Sequence, residues 1–291
     1  MASIVFVHGA FQGGWVWKWV AEALEERGHT AHRPTLTGCG HHRHSLVAGV
    51  GLNTYVRDIA QYIEDEGLVD VVLVGHSYAG LVCCAVAEAL SETVTRLVLL
   101  DGVLPQPGKS FADLGGAPFQ KLLAAHSTED GLVRPWPLQS FGVGPEAVPW
   151  FGRRLGLFPR AAFTDPSPES GGACAAKRTY ISCIPVRNPL LRAMAVRANA
   201  EGFEMHALMS GHCAMVSAPL ELAGLLHRII KGAPGMSCAD ASAQHGELPP
   251  LDRQLLEDMR RQLHWTCCRL AKGDESPSAS GRAGQTPGCG G

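Results

Sequence analysis

The hexapeptide Gly75-His76-Ser77-Tyr78-Ala79-Gly80 follows the apolar run Val71-Val72-Leu73-Val74 and precedes a helix-forming stretch from Leu81 to Leu90. A strand that runs into a small-residue turn around a serine, and then into a helix, describes a nucleophile elbow. Such a turn is strained; it lifts the Ser77 hydroxyl above the sheet edge and aims the next amide, that of Tyr78, at the same spot. The bare pattern G-x-S-x-G is weak, and the strand before it and the helix after it carry the reading. The alternative is an ordinary N-capping serine in a βα turn. The second glycine of the pattern is here Ala79, the smallest substitution available.

A serine hydroxyl is a poor nucleophile until a base takes its proton, and the base must be oriented and its charge balanced. With an elbow of this kind the expected order along the chain is serine, acid, histidine, each after a different strand. His212, in Ser210-Gly211-His212-Cys213 between a strand Glu204–Leu208 and a helix starting near Pro219, stands where the base belongs. A surface-loop histidine is the alternative. The acid is harder to find. The loop Cys183-Ile184-Pro185-Val186-Arg187-Asn188-Pro189 has no carboxylate, and Glu201 and Glu204 precede the next strand, which puts them at the opposite end of the sheet. Asp101, at the carboxyl end of the strand after the elbow helix, lies on the correct edge and takes the orienting role. Its competing reading is a capping or loop-fixing aspartate, with Asn188 or water orienting the histidine.

An oxyanion needs two donors. The Tyr78 amide is one. The other is expected from His8-Gly9-Ala10-Phe11-Gln12-Gly13-Gly14, whose small residues let backbone amides approach a ligand; Ala10 is the first candidate and Phe11 the next. His8 reads as a loop-fixing residue rather than a second base.

The elements that must position these groups alternate. Strands are expected at Ile4–Val7, Thr30–Arg33, Val71–Val74, Arg96–Leu100, Arg178–Ser182 and Glu204–Leu208. Helices are expected at Trp15–Arg27, Thr54–Glu66, after the elbow, near Pro189–Ala200 and at Pro219–Ile230. This alternation predicts an α/β fold with a mostly parallel central sheet and helices on both faces, and ligands in such sheets bind beyond the carboxyl ends of the strands. The stretch 103–176 breaks the rhythm. It holds Phe119, Trp136, Phe141, Trp150, Phe151, Phe158 and Phe163 among many prolines and glycines, and reads as an inserted cap whose apolar lining favours a hydrophobic or aromatic substrate. A poorly ordered loop is the dull alternative. The composition then changes, so that 1–231 reads as the domain and 232–291 as a linker, a short helix at 250–272 and a disordered tail.

The whole chain sets outer bounds. Of 291 residues, 46% are apolar, and 25 Lys plus Arg nearly balance 27 Asp plus Glu, so a sizeable core is available and no basic stretch points to nucleic acid or an anionic membrane. No run approaches the roughly 20 apolar residues of a membrane span, and Met1-Ala2-Ser3 leads straight into a strand without a signal-peptide pattern. A cytoplasmic location is expected. The ten cysteines form no C-x-x-C pair and read as reduced, mostly buried thiols. The consecutive histidines of His41-His42-Arg43-His44 cannot all face one ion, so no metal is assigned, and no cofactor is expected.

Taken together, Phe6-Val7-His8-Gly9-Ala10-Phe11-Gln12-Gly13-Gly14-Trp15, Arg33-Pro34-Thr35-Leu36-Thr37-Gly38, Gly75-His76-Ser77-Tyr78 and Gly211-His212 with Ala214-Met215 resemble the α/β-hydrolases that group plant methyl esterases with hydroxynitrile lyases, and most of all their bacterial esterase relatives. The resemblance covers about Ser3 to Lys231 and implies an α/β-hydrolase fold. The lyases of that group carry a threonine in the first-strand loop and a lysine after the catalytic histidine, where this chain has Gly9 and Cys213; the comparison implies a hydrolase. The plant enzymes place their acid where this chain has Val186, which turns attention back to Asp101, since some α/β-hydrolases carry the acid one strand earlier. Bacterial relatives usually show Asp at the Cys213 position and Gly at the Ala79 position, marks of a divergent member. The expectation is a serine hydrolase of small hydrophobic or aromatic carboxylic esters acting through Ser77, His212 and Asp101. The expected partners are a small-molecule ester and, at most, a second copy in a homodimer. A hydroxynitrile lyase-like or lactone-acting enzyme, and a catalytically weak ligand-binding homologue, are the alternatives.

Overall fold

Six short runs pair into one sheet in the spatial order β2 (Thr30–His32), β1 (Ser3–Val7), β3 (Val71–His76), β4 (Val94–Leu100), β7 (Lys177–Ile184), β8 (Glu204–Met209), and every pairing in it is parallel. The structure, a computed structural model, describes residues 1–168, 175–184 and 188–232. The expected linker beyond Gly232, the helix at 250–272 and the tail lie outside the described residues, as does Val186.

All six residues of β3 are buried, as a parallel strand covered on both faces requires. The covering helices include α1 (Lys18–Glu25), which packs on α9 (Pro219–Ile230), and α2 (Leu52–Asp65), which packs on α3 (Ala79–Ala89). The helix expected over Trp15–Arg27 divides. Gly14–Trp17 is a 3-10 turn, and the α-helix begins only at Lys18. Gly14 explains the tight start, because a Cβ there would lie 2.1 Å from the Arg33 carbonyl oxygen.

The described part of the stretch between β4 and β7, up to residue 168, folds into short helices and strands. Helix α4 (Phe111–His126) starts on a capping box, in which Ser110 accepts from the Asp113 amide and the Asp113 carboxylate accepts from the Ser110 amide, and it kinks at Gly116, ahead of Pro118. Strand β5 (Leu132–Val133) pairs antiparallel with β6 (Phe158–Pro159), with α5 (Val148–Gly152) between them and α6 (Arg160–Thr164) after. The two stems of this insertion bond to each other: Gly108 donates to the Ser167 carbonyl at 3.2 Å, and Ser167 donates back to Lys109 at 2.9 Å. Asp165 at the returning stem caps α2, accepting from the Leu52 amide at 3.0 Å.

The sheet order reverses beside β1, where the chain goes one way to β2 and the other way to β3. Sheets of this kind bind ligands at such a switch point, here at the carboxyl ends of β1 and β3. Register keeps those ends level, with Val7 opposite Gly75, His76 opposite Leu100 and Leu100 opposite Ile181.

Candidate active site

The hydrogen-bond ladder of the sheet runs one step past each strand and delivers the chemistry-bearing residues to one edge. The Ser77 amide donates to the Leu100 carbonyl at 3.1 Å, and the Asp101 amide donates to the Ile181 carbonyl at 2.9 Å. Both residues then turn with positive φ, 56° for Ser77 and 45° for Asp101, conformations that non-glycine residues rarely adopt. The elbow is tight on particular atoms. A Cβ on Gly80 would lie 2.4 Å from the Val103 carbonyl oxygen, and one on Gly75 would lie 2.7 Å from the Cys83 sulfur. Ala79 keeps its methyl group, fully buried, so the steric demand of this turn falls on Gly75 and Gly80 rather than on the second glycine of the motif.

Ser77, His212 and Asp101 lie in one line of hydrogen bonds. His212 Nδ1 is 3.0 Å from Asp101 Oδ2, and His212 Nε2 is 3.1 Å from Ser77 Oγ. A carboxylate can only accept, so the Nδ1 proton points at Asp101, and the bare Nε2 faces the serine hydroxyl. Asp101 is buried and its second oxygen accepts the Cys183 amide at 2.9 Å. Asn188 is elsewhere occupied; its side chain caps α7 (Pro189–Ala200) by accepting from the Leu190 and Leu191 amides.

The loop after β1 closes against the elbow. Gly9 sits where a Cβ would be 3.3 Å from the Ser77 Cβ and 2.9 Å from His76 Nδ1, so a side chain here would press on the nucleophile. Phe11 takes a positive φ of 69°, buries its ring, and offers its carbonyl to the Gly156 amide of the insertion at 2.9 Å. Ala10 is partly buried between Gly9 and Phe11, and Tyr78 is the N-cap residue of α3. His8 is a loop-fixing group: Nδ1–H donates to the Gly9 carbonyl at 2.9 Å and Nε2 accepts the Leu36 amide at 3.2 Å. Burial pushes its pKa down to about 4, so it stays neutral.

An aromatic cluster roofs the site. The Phe11 ring meets Trp136, Phe158 and Phe163 at 4.9, 5.5 and 6.0 Å, and the Tyr78 ring meets Phe158 and Phe163 at 5.2 and 5.6 Å. The insertion therefore rests on the side chains whose backbones border Ser77. It also reaches the base. Cys213 donates its amide to the Phe141 carbonyl at 2.9 Å, and Gly142 and Gly211 meet so closely that a Cβ on Gly211 would lie 1.8 Å from the Gly142 oxygen.

Four contributors carry no signal in sequence: His76, Gln12, Cys183 and Gly142. Gln12 donates to the Cys213 sulfur at 3.3 Å, joining the β1 loop to the His212 loop. Cys213 is fully buried, and burial pushes its thiol pKa up, so it presents neither a cation nor a thiolate. His41, His42 and His44 form a 3-10 turn in which His42 Nδ1–H donates to the Thr35 carbonyl at 3.0 Å. Among the described residues no group of three His, Cys, Asp or Glu side chains is placed to hold a metal, and no helix is long and apolar enough to cross a membrane.

Comparison with known proteins places this geometry in a lineage. A family model described as "Alpha/beta hydrolase family" matches residues 4–225. A carbendazim hydrolyzing esterase from Nocardioides is 34% identical over 241 residues, covering 77% of this chain and 97% of that protein. Among solved structures, an extracellular alpha/beta-hydrolase from Paenibacillus superposes with a TM-score of 0.71 at 19% identity, covering 81% of this chain and all (100%) of the other. A methylesterase from Arabidopsis superposes with a TM-score of 0.64 at 22% identity, covering 80% of this chain and 100% of its own. At these identities the two structures speak for the fold alone.

Proposed function

This chain belongs to the alpha/beta hydrolase family and is a carboxylic-ester hydrolase, and we propose that it cleaves esters of small hydrophobic or aromatic molecules through Ser77, His212 and Asp101. The observation that carries the reading is the continuous pair of hydrogen bonds from Asp101 through His212 to Ser77. Ser77 Oγ forms a bond to the ester carbonyl carbon while its proton passes to His212 Nε2, and the carbonyl π electrons move onto oxygen. The Tyr78 amide and the Ala10 or Phe11 amide hold that oxyanion. Collapse expels the alkoxide, which leaves with the proton from His212. A water then gives a proton to His212 and attacks the acyl-enzyme; the acid departs and Ser77 regains its hydrogen. Asp101 stays ionised throughout, holding the ring and balancing the imidazolium.

The insertion acts as the cap, and its rings favour a flat or hydrophobic group beside the scissile bond. Cyanohydrin cleavage has less support, because buried, neutral Cys213 offers no cation for a departing cyanide. The reading is tested with purified protein on a panel of short-chain and aryl esters and with an organophosphonate that labels active serines. Turnover and labelling are expected, and Ser77→Ala is expected to lose both. Undiminished hydrolysis by Ser77→Ala would overturn it.

A further inference from the structure

His76, the residue before Ser77, takes no part in the proposed chemistry, yet it touches the base. It is buried, and its Nε2 lies 3.0 Å from the backbone carbonyl oxygen of His212. A carbonyl can only accept, so Nε2 carries the proton. The two imidazoles also lie tilted against each other, with centroids 4.6 Å apart and planes at 44°. The other nitrogen, Nδ1, is buried without a hydrogen-bond partner, which costs free energy. Two consecutive residues of the elbow thus hold one residue of the base loop at two points: Ser77 meets the ring and His76 meets the backbone.

We propose that His76 is a positioning residue for the base, its Nε2–H bond to the His212 carbonyl setting the depth at which the His212 ring meets Ser77. The inference rests on the reading of Ser77 as nucleophile and His212 as base. The His212 segment is also held by the Phe141 carbonyl, the Gln12 amide, the Asp101 carboxylate, the Ser210 amide on the Ile184 carbonyl, and the Cys183 thiol 4.0 Å from the same His212 oxygen. Among the described residues, His76 is the member of β3 that holds this segment by its backbone. Burial, reinforced by the nearby His212, keeps the His76 pKa well below its usual value. The ring therefore adds no second positive charge when His212 takes the serine proton.

The test compares His76→Phe, which keeps a ring and loses the donor, with His76→Gln, which keeps a donor. For each, kcat and KM on one aryl ester, the rate of organophosphonate labelling at Ser77, and the thermal midpoint are measured beside Ser77→Ala. His76→Phe is expected to lower kcat by roughly 30-fold or more with KM within about twofold, and to slow labelling in step, as a misplaced base would. His76→Gln is expected to recover most of that loss. Wild-type kcat in His76→Phe overturns the proposal, and so does a His76→Gln as slow as His76→Phe while melting like wild type. Where His76→Phe does not fold, a His76→Gln that melts like wild type but has lost roughly 30-fold or more in kcat overturns the proposal, and one that keeps most of the wild-type kcat supports it. Turnover by Ser77→Ala would instead overturn the nucleophile reading itself, so the two failures are told apart.

Discussion

The backbone amide of Cys183 donates to Asp101 Oδ1 at 2.9 Å, so β7, whose own following loop has no carboxylate, holds the carboxylate of its neighbour β4. The hydroxyl of Tyr180, also on β7, donates to the Gly102 carbonyl at 3.0 Å and fixes the turn just after it. Asp101 is thereby pinned from the adjacent strand with one oxygen left for His212. Its strained φ of 45° persists because both neighbours determine it.

Asp101→Asn keeps the shape and can still accept from Cys183, but an amide hydrogen would then face His212 Nδ1 and favour the wrong tautomer. The expected result is a fall in kcat of roughly 10²–10⁴-fold with little change in KM. Steady-state kinetics on an aryl ester, with circular dichroism to verify folding, decide it. Turnover within a few-fold of wild type would remove Asp101 from the role.

Gly211→Ala should also slow the enzyme, for a different reason. The added methyl group would fall 1.8 Å from the Gly142 carbonyl oxygen, a backbone atom that cannot swing aside. The insertion or the His212 loop must shift, and a base displaced by even a fraction of an ångström loses its line to Ser77. At least a roughly tenfold loss of kcat is expected, together with a lower thermal midpoint; unchanged values of both would show that the loops separate freely.

Much of this is legible in the amino-acid sequence. Strand, tight turn and helix around Ser77 are local signals, and a histidine after the last strand is a positional one. Asp101 was found by elimination, because the topology leaves only strand ends on the useful edge. The contacts among Gln12, Cys213, Phe141 and Gly211 were not legible, since they join segments far apart in sequence through backbone atoms and a thiol. His76 was hidden for the same reason: its partner is a carbonyl, which every residue has. The individual elements of the insertion are not legible in sequence, because they are short and helix α4 contains Gly116 and Pro118, residues that break periodicity without preventing a kinked helix.

Acidification should weaken the fold through His8. Its pKa falls from 6.5 to about 4 on folding. The unfolded chain therefore binds the proton more readily, and the stability from keeping His8 neutral is complete above pH 6.5 and is lost as pH drops toward 4. The loss reaches about 3 kcal/mol at the lower end, on the order of magnitude set by that shift. His29 acts in the same direction: burial and the neighbouring His227, 2.9 Å away, lower its pKa. Urea unfolding at pH 7.5, 6, 5 and 4.5 should show a falling midpoint, and a flat profile would contradict the account.

Phe163 joins the insertion to the floor of the site. Its ring meets Phe11, Tyr78, Phe111, Phe119, Trp136 and Phe158 at 6.0, 5.6, 5.4, 5.5, 5.7 and 5.2 Å, and it is almost wholly buried. Phe163→Ala opens a cavity among rings too rigid to collapse into it, so a loss of about 3–5 kcal/mol is expected from denaturant unfolding. Two of those rings belong to Phe11 and Tyr78, the residues proposed to aim amides at the oxyanion, so kcat should fall as well. Trp136→Ala provides the contrast. That ring is only half-buried at the edge of the cluster, and its loss should cost less stability while raising KM for aryl esters more than for acetates of small alcohols. If Phe163→Ala unfolds at wild-type denaturant concentration, the cluster does not brace the site; if Trp136→Ala leaves the aryl preference intact, the rings do not select the substrate.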